Sequence, residues 1–184
     1  MELTSFDNGH TYCLNTGLKP QSGTLKFECK LSLNSYTSNS MFLGGFMSDP
    51  YSLRDSNTNW GYNGEDGSMM VKQWPSNAAA SCPAGTVQVD VPFEMAGTYA
   101  AGNLSITIGG QTYTNTSGAA VLARDVWIGS DGSTNSGVGD FTLYWYKLYD
   151  GEILARDFVP VQRISDRVYG LWDYVTETFY PWQS

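Results

Sequence analysis

The segment GTLKFECKLSL, residues 23–33, sets Leu25, Phe27, Cys29, Leu31 and Leu33 at every second position, with Lys26, Glu28, Lys30 and Ser32 between them. A period of two is the pattern of a strand with one buried face and one wet face. Segments of this kind recur along the chain: TYCLNTG (11–17), SMFLGGF (40–46), NWGYNG (59–64), SMMVKQW (68–74) and DVWIGS (125–130). TVQVDV (86–91) turns Val87, Val89 and Val91 to one side. Helical periodicity is nearly absent, and FEMAGTYAAG (93–102) offers at most one helical turn. Charged residues make up only 15% of the chain while Gly, Ser, Thr and Asn abound, a mixture suited to short strands and tight turns.

Two hairpins can be read directly. NLSITIGGQTYTN (103–115) turns at Gly109-Gly110, which supplies the positive φ angles of a two-residue loop. DFTLYWYKLYDGEILARDFVPV (140–161) turns at Asp150-Gly151. Counting outward from that turn sets Tyr149 opposite Glu152, Lys147 opposite Leu154, Trp145 opposite Arg156 and Leu143 opposite Phe158. Opposed residues share a face, so Arg156 is expected over the Trp145 ring as a cation–π pair. RVYGLWDYV and ETFYPW make a final pair of strands. No repeat or linker divides the 184 residues, so the expectation is one all-β domain, residues 1–184, built as a two-sheet antiparallel sandwich.

At the C-terminal end the residues carry a resemblance. LYWYKLYDGEILARDFVPVQR followed by DRVYGLWDYVTETFY is similar to the closing signature of laminin G-like, concanavalin A-like jelly-roll domains, found in gut-bacterial surface proteins and phage structural proteins. The shared pattern is a tyrosine-rich strand, an Asp-Gly turn, Leu154, Arg156, Asp157, Phe158 and Pro160, then Gly170-Leu171-Trp172-Asp173, with Trp172 standing where Tyr is usual. LNTGLKP (14–20) resembles the family's opening strand and turn. Between about residues 34 and 125 only the strand pattern is shared. The resemblance implies a concanavalin A-like jelly roll.

The charges of that closing stretch read as scaffold. Arg156 with Asp157 or Asp173 is expected to form a structural ion pair, since fixed strands and low local dielectric make charge-assisted bonds that pin register. Arg163 and Arg167 belong to the same stretch, and Asp166 is expected to start a turn through its side chain. Catalytic signatures are missing. Glucanases sharing the jelly roll carry Glu-x-Asp-x-(x)-Glu on one strand, which puts the carboxylates on one face. None of Glu2, Glu28, Glu65, Glu94, Glu152 and Glu177 has Asp two positions on, or Glu at plus four or plus five. His10 is the single histidine, which argues against a Ser-His-Asp triad or a zinc enzyme. A polysaccharide hydrolase or lyase is therefore the weakest reading.

The net charge of −8 argues against DNA, RNA or anionic membranes as partners, because no basic patch could neutralise phosphates. No apolar run approaches the roughly 18 to 20 residues of a membrane-spanning helix. Met1-Glu2-Leu3 shows neither the basic nor the apolar part of a signal peptide, so the chain is expected either to lack a trimmed leader or to leave the cell another way, for example on a virion. Cys13, Cys29 and Cys82 lack metal-type spacing; Cys13 and Cys29 fall in neighbouring strand candidates and could form one disulfide, the alternative being reduced, half-buried thiols. In SDGSTNSGVGD (130–140), Asp131, Ser133, Asn135 and Asp140 alternate oxygen donors as a Ca2+ loop would, but the spacing departs from the EF-type loop, and a polar connector is the alternative.

Binding features are the positive signal. Trp60 and Tyr62 alternate onto one face with Asn57, Asn59 and Asn63 nearby, and Trp74 precedes a proline at a strand end. Tyr51, Arg54 and Tyr99 could complete a rim. Aromatic rings beside amides suit sugars, whose C–H faces stack and whose hydroxyls need paired partners; the alternative for Trp60 and Tyr62 is the sandwich core. The expected function is a non-catalytic surface module that binds a glycan or host-surface polysaccharide. The runner-up is a phage virion protein, a capsid-decoration or tail component, whose partners are other virion or cell-surface proteins. Both place the protein outside the cell or on the virion surface.

Overall fold

The computed structural model describes residues 5–7, 13–36, 41–47, 57–62, 67–73, 78–116, 125–129 and 140–182; the side chains of 6–7, 41–47, 57–62 and 72–73 are not among what it describes. Among the described residues fifteen strands follow in chain order: β1 (Phe6–Asp7), β2 (Leu14–Asn15), β3 (Thr24–Leu33), β4 (Met41–Met47), β5 (Asn57–Tyr62), β6 (Met69–Gln73), β7 (Ala78–Ser81), β8 (Phe93–Ala100), β9 (Asn103–Ile108), β10 (Gln111–Asn115), β11 (Trp127–Ile128), β12 (Phe141–Asp150), β13 (Ile153–Gln162), β14 (Tyr169–Asp173) and β15 (Thr178–Pro181). The described residues contain no helix.

The large sheet runs β10-β9-β8-β3-β12-β13-β14-β15, with β1 also on β12; the small sheet runs β2-β11-β4-β5-β6-β7. Adjacent strands are antiparallel throughout. One core fills the space between the sheets. The large sheet contributes the odd residues Leu25 to Leu33 of β3, Met95 and Tyr99 of β8, Leu104, Ile106 and Ile108 of β9, and Phe141, Leu143, Tyr146 and Leu148 of β12. The small sheet answers with Leu14, Met69, Val71, Ala80 and Ile128. The alternation in residues 23–33 thus becomes the central strand of the larger sheet.

The final hairpin differs from the sequence register. Asp150 pairs with Ile153, so the turn is Gly151-Glu152, with Gly151 at φ 62°. The reason lies in another loop. The Asp150 carboxylate accepts the amides of Gln21 and Ser22, each at 2.8 Å, and the Gly151 amide donates to Thr24 O, so Asp150 is held as the last strand residue. A bulge at Ala155 then sets Leu148 opposite Arg156 and Lys147 opposite Asp157. A second bulge, on β12 at Tyr144, sets Leu143 opposite Leu31 but Trp145 opposite Lys30. An extra residue reverses parity beyond it. Leu143 and Tyr146 are therefore both buried, and Trp145 is turned away from Arg156 to the outer face; the expected cation–π pair does not form.

Arg156 points inward instead. Its Nε donates to Thr16 O at 3.0 Å and lies 3.5 Å from Asp173 Oδ2. Asp173 is fully buried; its oxygens also accept the amides of Asp157 (2.8 Å) and Val175 (3.0 Å) and the Thr176 hydroxyl (2.7 Å). Asp157 faces the other way and meets Lys147 at 3.5 Å. Arg163 and Asp166 form a two-pronged bond, and Asp166 Oδ1 also accepts the Val168 amide, closing the turn between β13 and β14.

Other expectations need correction. Residues 86–91 form no strand: Val87 is buried but Val91 is 48% exposed, because Asp90 at φ 61° reverses the chain before Pro92, leaving an isolated bridge from Val89 to Leu33. Residues 93–100, read as at most a helical turn, are β8. The alternation was hidden there because an inward position is held by Gly97. β7 is a strand made of alanines, and it shows no propensity signal. Cys13 and Cys29 are not linked: both are buried thiols, since the Cys13 segment joins the small sheet while β3 lies between β8 and β12 in the large one.

Arg156→Ala strands the Asp173 carboxylate and should cost about 3 kcal/mol or more in urea unfolding, with the fold otherwise intact. For Asp150, partial burial raises the carboxyl pKa, but hydrogen bonds from Ser22 and Gln21 outweigh it and hold the group below its usual value. A depressed carboxyl stabilises the fold above its unfolded pKa of about 3.9, and that contribution disappears as pH falls through the lower native value. The melting-temperature gap between wild type and Asp150→Asn should therefore be open at neutral pH and close in acid.

Candidate functional site

The outer face of the large sheet is built from the residues that alternate with the core. β3 presents Lys26, Glu28 and Lys30; β8 presents Glu94, Ala96 and Thr98; β9 presents Ser105 and Thr107; β12, beyond its bulge, presents Trp145, Lys147 and Tyr149. Register aligns them in rows across the sheet. Thr107, Ala96, Glu28 and Lys147 form one row, and Glu94, Lys30 and Trp145 the next. The small Ala96 in the middle of this face leaves a trough.

The central depression, of ≈ 230 Å³, is bordered by Glu28, Glu94, Thr107, Trp145 and the Gly109-Gly110 turn. It continues past Glu28 and Ala96 toward Lys26, Thr98, Tyr149 and Glu152, and in the other direction toward Lys30 and Phe93. From Lys26 to Lys30 the strand covers about 13 Å. Beneath the floor, the backbone of Gly97 lies against Phe27: a Cβ at Gly97 would stand 2.1 Å from Phe27 Cε1. Glycine here is a matter of space, not of backbone conformation.

The charges of this face are mostly paired. Lys26 binds Glu152, Lys147 Nζ lies 3.5 Å from Asp157, and Lys30 Nζ lies 3.8 Å from Glu94 and 5.8 Å from the centre of the Tyr144 ring. Glu28 differs. Its Oε2 accepts the Tyr149 hydroxyl at 3.1 Å, and no lysine or arginine among the described residues pairs with it. Burial, then the hydrogen bond and charge of Glu28 and the charge of Asp157, raise the Tyr149 pKa and keep the phenol a donor. The trough thus offers an aromatic wall, a free carboxylate edge and hydroxyls, a combination that can stack on a ring and accept or donate hydrogen bonds.

The residues singled out from sequence are placed as follows. Tyr99 is fully buried in the core from β8 and lines no rim, a correction that follows from the strand there: Leu25 is its register partner and both face inward. Asn59, Trp60 and Tyr62 lie on β5 in the small sheet, with Trp60 opposite Val71 and Tyr62 opposite Met69, both of them buried residues. Tyr51, Arg54, Asn63 and Trp74 fall outside the described residues, as do Asp131, Ser133 and Asn135 of the candidate Ca2+ loop. Asp140 is described, and its carboxylate accepts Asn34 Nδ2 at 2.9 Å and Ser35 Oγ at 2.6 Å, a tie between the ends of β3 and β12. Sequence reasoning missed Trp145, Glu28, Glu94 and Tyr149. A signal existed, because Lys26-x-Glu28-x-Lys30 and Trp145-x-Lys147-x-Tyr149 are each the polar complement of a buried row.

No protein-family model matches the chain, and no curated protein matches it significantly. Solved structures do share its arrangement. A "putative carbohydrate binding protein" from Bacteroides ovatus ATCC 8483, 11% identical, superimposes with a TM-score of 0.62 over 100% of this chain and 59% of that one. Domains LG4-5 of the mouse laminin alpha1 chain, 10% identical, superimpose with a TM-score of 0.57 over 78% of this chain and 40% of that one. The fold is a laminin G-type, concanavalin A-like jelly roll. The chain spans less than two thirds of either neighbour, and at such identities the likeness speaks for the jelly roll alone.

In this jelly roll the trough exists because Gly97 lets Phe27 fill the space below its floor. Gly97→Ala should destabilise the domain by about 1–3 kcal/mol through overpacking. Combining it with Phe27→Leu should recover part of the loss, which chemical denaturation of the two variants would measure.

Proposed function

We propose that the chain is a non-catalytic carbohydrate-binding module that holds a glycan along the outer face of the large sheet. The observation that carries this reading is Trp145, turned outward by the Tyr144 bulge beside Glu28 and Thr107 over a floor of small residues. An indole face covers the apolar side of a sugar ring, while carboxylate and hydroxyl oxygens take its hydroxyl hydrogens. The likeness to a jelly roll described as carbohydrate-binding agrees with this. The carboxylates of the trough are on an open, wet surface, whereas acid–base work on a glycosidic bond is served by a site that sheds water.

A shallow wet groove recovers little beyond stacking and a few hydrogen bonds, so single-site affinity should be millimolar to micromolar in order. A ligand of this kind fits a polysaccharide on a cell or virion surface, where repeated units add avidity. Within the described residues no helix is long and apolar enough to cross a membrane.

The test is a titration with neutral oligosaccharides followed by isothermal calorimetry, with the indole N–H resonance of Trp145 locating the site in the wild type. Trp145→Ala should abolish binding while moving the melting temperature by no more than about 2 °C, as expected of a partly exposed side chain. Unchanged binding by that variant would overturn the site.

A further inference from the structure

The polarity of the trough narrows the ligand class. Three lysines share the outer face, yet each is answered: Lys26 by Glu152, Lys147 by Asp157 and Lys30 by Glu94. Lys147 stands opposite Glu28 in register but extends to Asp157 on its other side. Glu28 is left as the carboxylate that the sheet itself does not neutralise. Its fixed partner is the Tyr149 hydroxyl, which uses one oxygen and adds no positive charge. Glu94 is the second carboxylate at the central depression, and its lysine, 3.8 Å away, is a loose and solvent-screened partner.

Trp145 completes the arrangement. An electron-rich indole face with carboxylates at its edge attracts a cation, while the lysines that could meet an anion on this face are each held by a carboxylate. The rest of the molecule acts in the same sense, since a net charge of −8 repels anionic polymers and draws in cationic ones.

We infer that the Trp145–Glu28 trough is selective for a glycan bearing free amino groups, a cationic amino sugar, over its neutral counterpart, and that it rejects uronic acids. This rests on the carbohydrate-binding reading above and names its substrate class. An ammonium group on a ring stacked against Trp145 replaces a water-screened hydroxyl contact at Glu28 with a charge-assisted one. Glu28 is the specificity-determining residue.

Three monosaccharides of the same ring stereochemistry separate the cases: glucosamine, glucose and glucuronate, each titrated at about pH 6, where a primary amine is protonated. The readout is the Trp145 indole resonance in the intact chain. Glucosamine should bind about threefold to tenfold more tightly than glucose, with the margin shrinking as salt is raised, and glucuronate should bind more weakly than both. Glu28→Gln should bring the glucosamine-to-glucose affinity ratio down to about one, both sugars being titrated against the same variant. The melting temperature of that variant should match wild type, because the carboxamide oxygen still accepts from Tyr149. If glucose and glucosamine bind equally, or if glucosamine keeps its advantage in Glu28→Gln, the charge selectivity is wrong although the glycan site stands. If no sugar moves the Trp145 resonance, the carbohydrate-binding reading fails and this inference with it.

Discussion

The buried carboxylate of Asp173 is the point on which the rest of the molecule depends. A fully buried carboxylate is costly unless every lone pair is used. Here four groups answer it: two amides, a hydroxyl and a guanidinium. The amide of Asp157 and that of Val175 fix β13 against β14 and shape the turn into β15. Arg156 extends the same tie across the sandwich, since its Nε also reaches the carbonyl of Thr16 beside β2 in the small sheet. One carboxylate thus sets strand register within one sheet and holds that sheet to the other.

Register has chemical consequences because a one-residue shift sends every later side chain to the other face. The fold takes two such shifts where it matters. With Arg156 drawn inward to Asp173, the bulge at Ala155 takes up the extra residue of β13, and Asp157 is left facing Lys147 on the outer face. The bulge at Tyr144 does the same for β12, so that Leu143 and Tyr146 both reach the core and Trp145 does not. The candidate ligand face is therefore a by-product of closing the core around its polar anchors.

This explains what could be read from the sequence and what could not. The strands of residues 23–33, 103–115 and 140–161, the Gly109-Gly110 turn and the C-terminal pair follow from alternation and turn chemistry, both of which are local. The outward position of Trp145 does not, because it depends on the Tyr144 bulge, which is set where β12 pairs with β3, over a hundred residues earlier in the chain. Tyr99 was misplaced for a related reason: with Gly97 and Ala96 in the way, β8 shows no apolar row until β3 is known to lie beside it. For Trp60 and Tyr62 aromatic alternation is the same for an outward and an inward face, so the sequence leaves both readings open; the register gives them Val71 and Met69 as strand partners.

Where a two-sheet sandwich can carry recognition is limited by geometry. Its inner faces are consumed by the core, and its sheet edges carry unpaired backbone groups that invite other strands. In the large sheet those edges are short: β10 is polar and reaches across to Ala79 O through Asn115, and β15 ends at Pro181. A broad outer face remains, and its side chains are already ordered by cross-strand ion pairs. Ordering completed in folding adds no further cost on binding. Flat β-sheet surfaces usually give a ligand little to grip, so a small residue flanked by larger ones is needed to make a depression at all. Ala96 between Thr107 and Glu28 does this, and Gly97 next to it lets the chain lie close enough to Phe27 for the floor to stay low. The specificity of the face then rests on a few side chains standing on rigid strands, which is a placement loops cannot match for constancy of geometry.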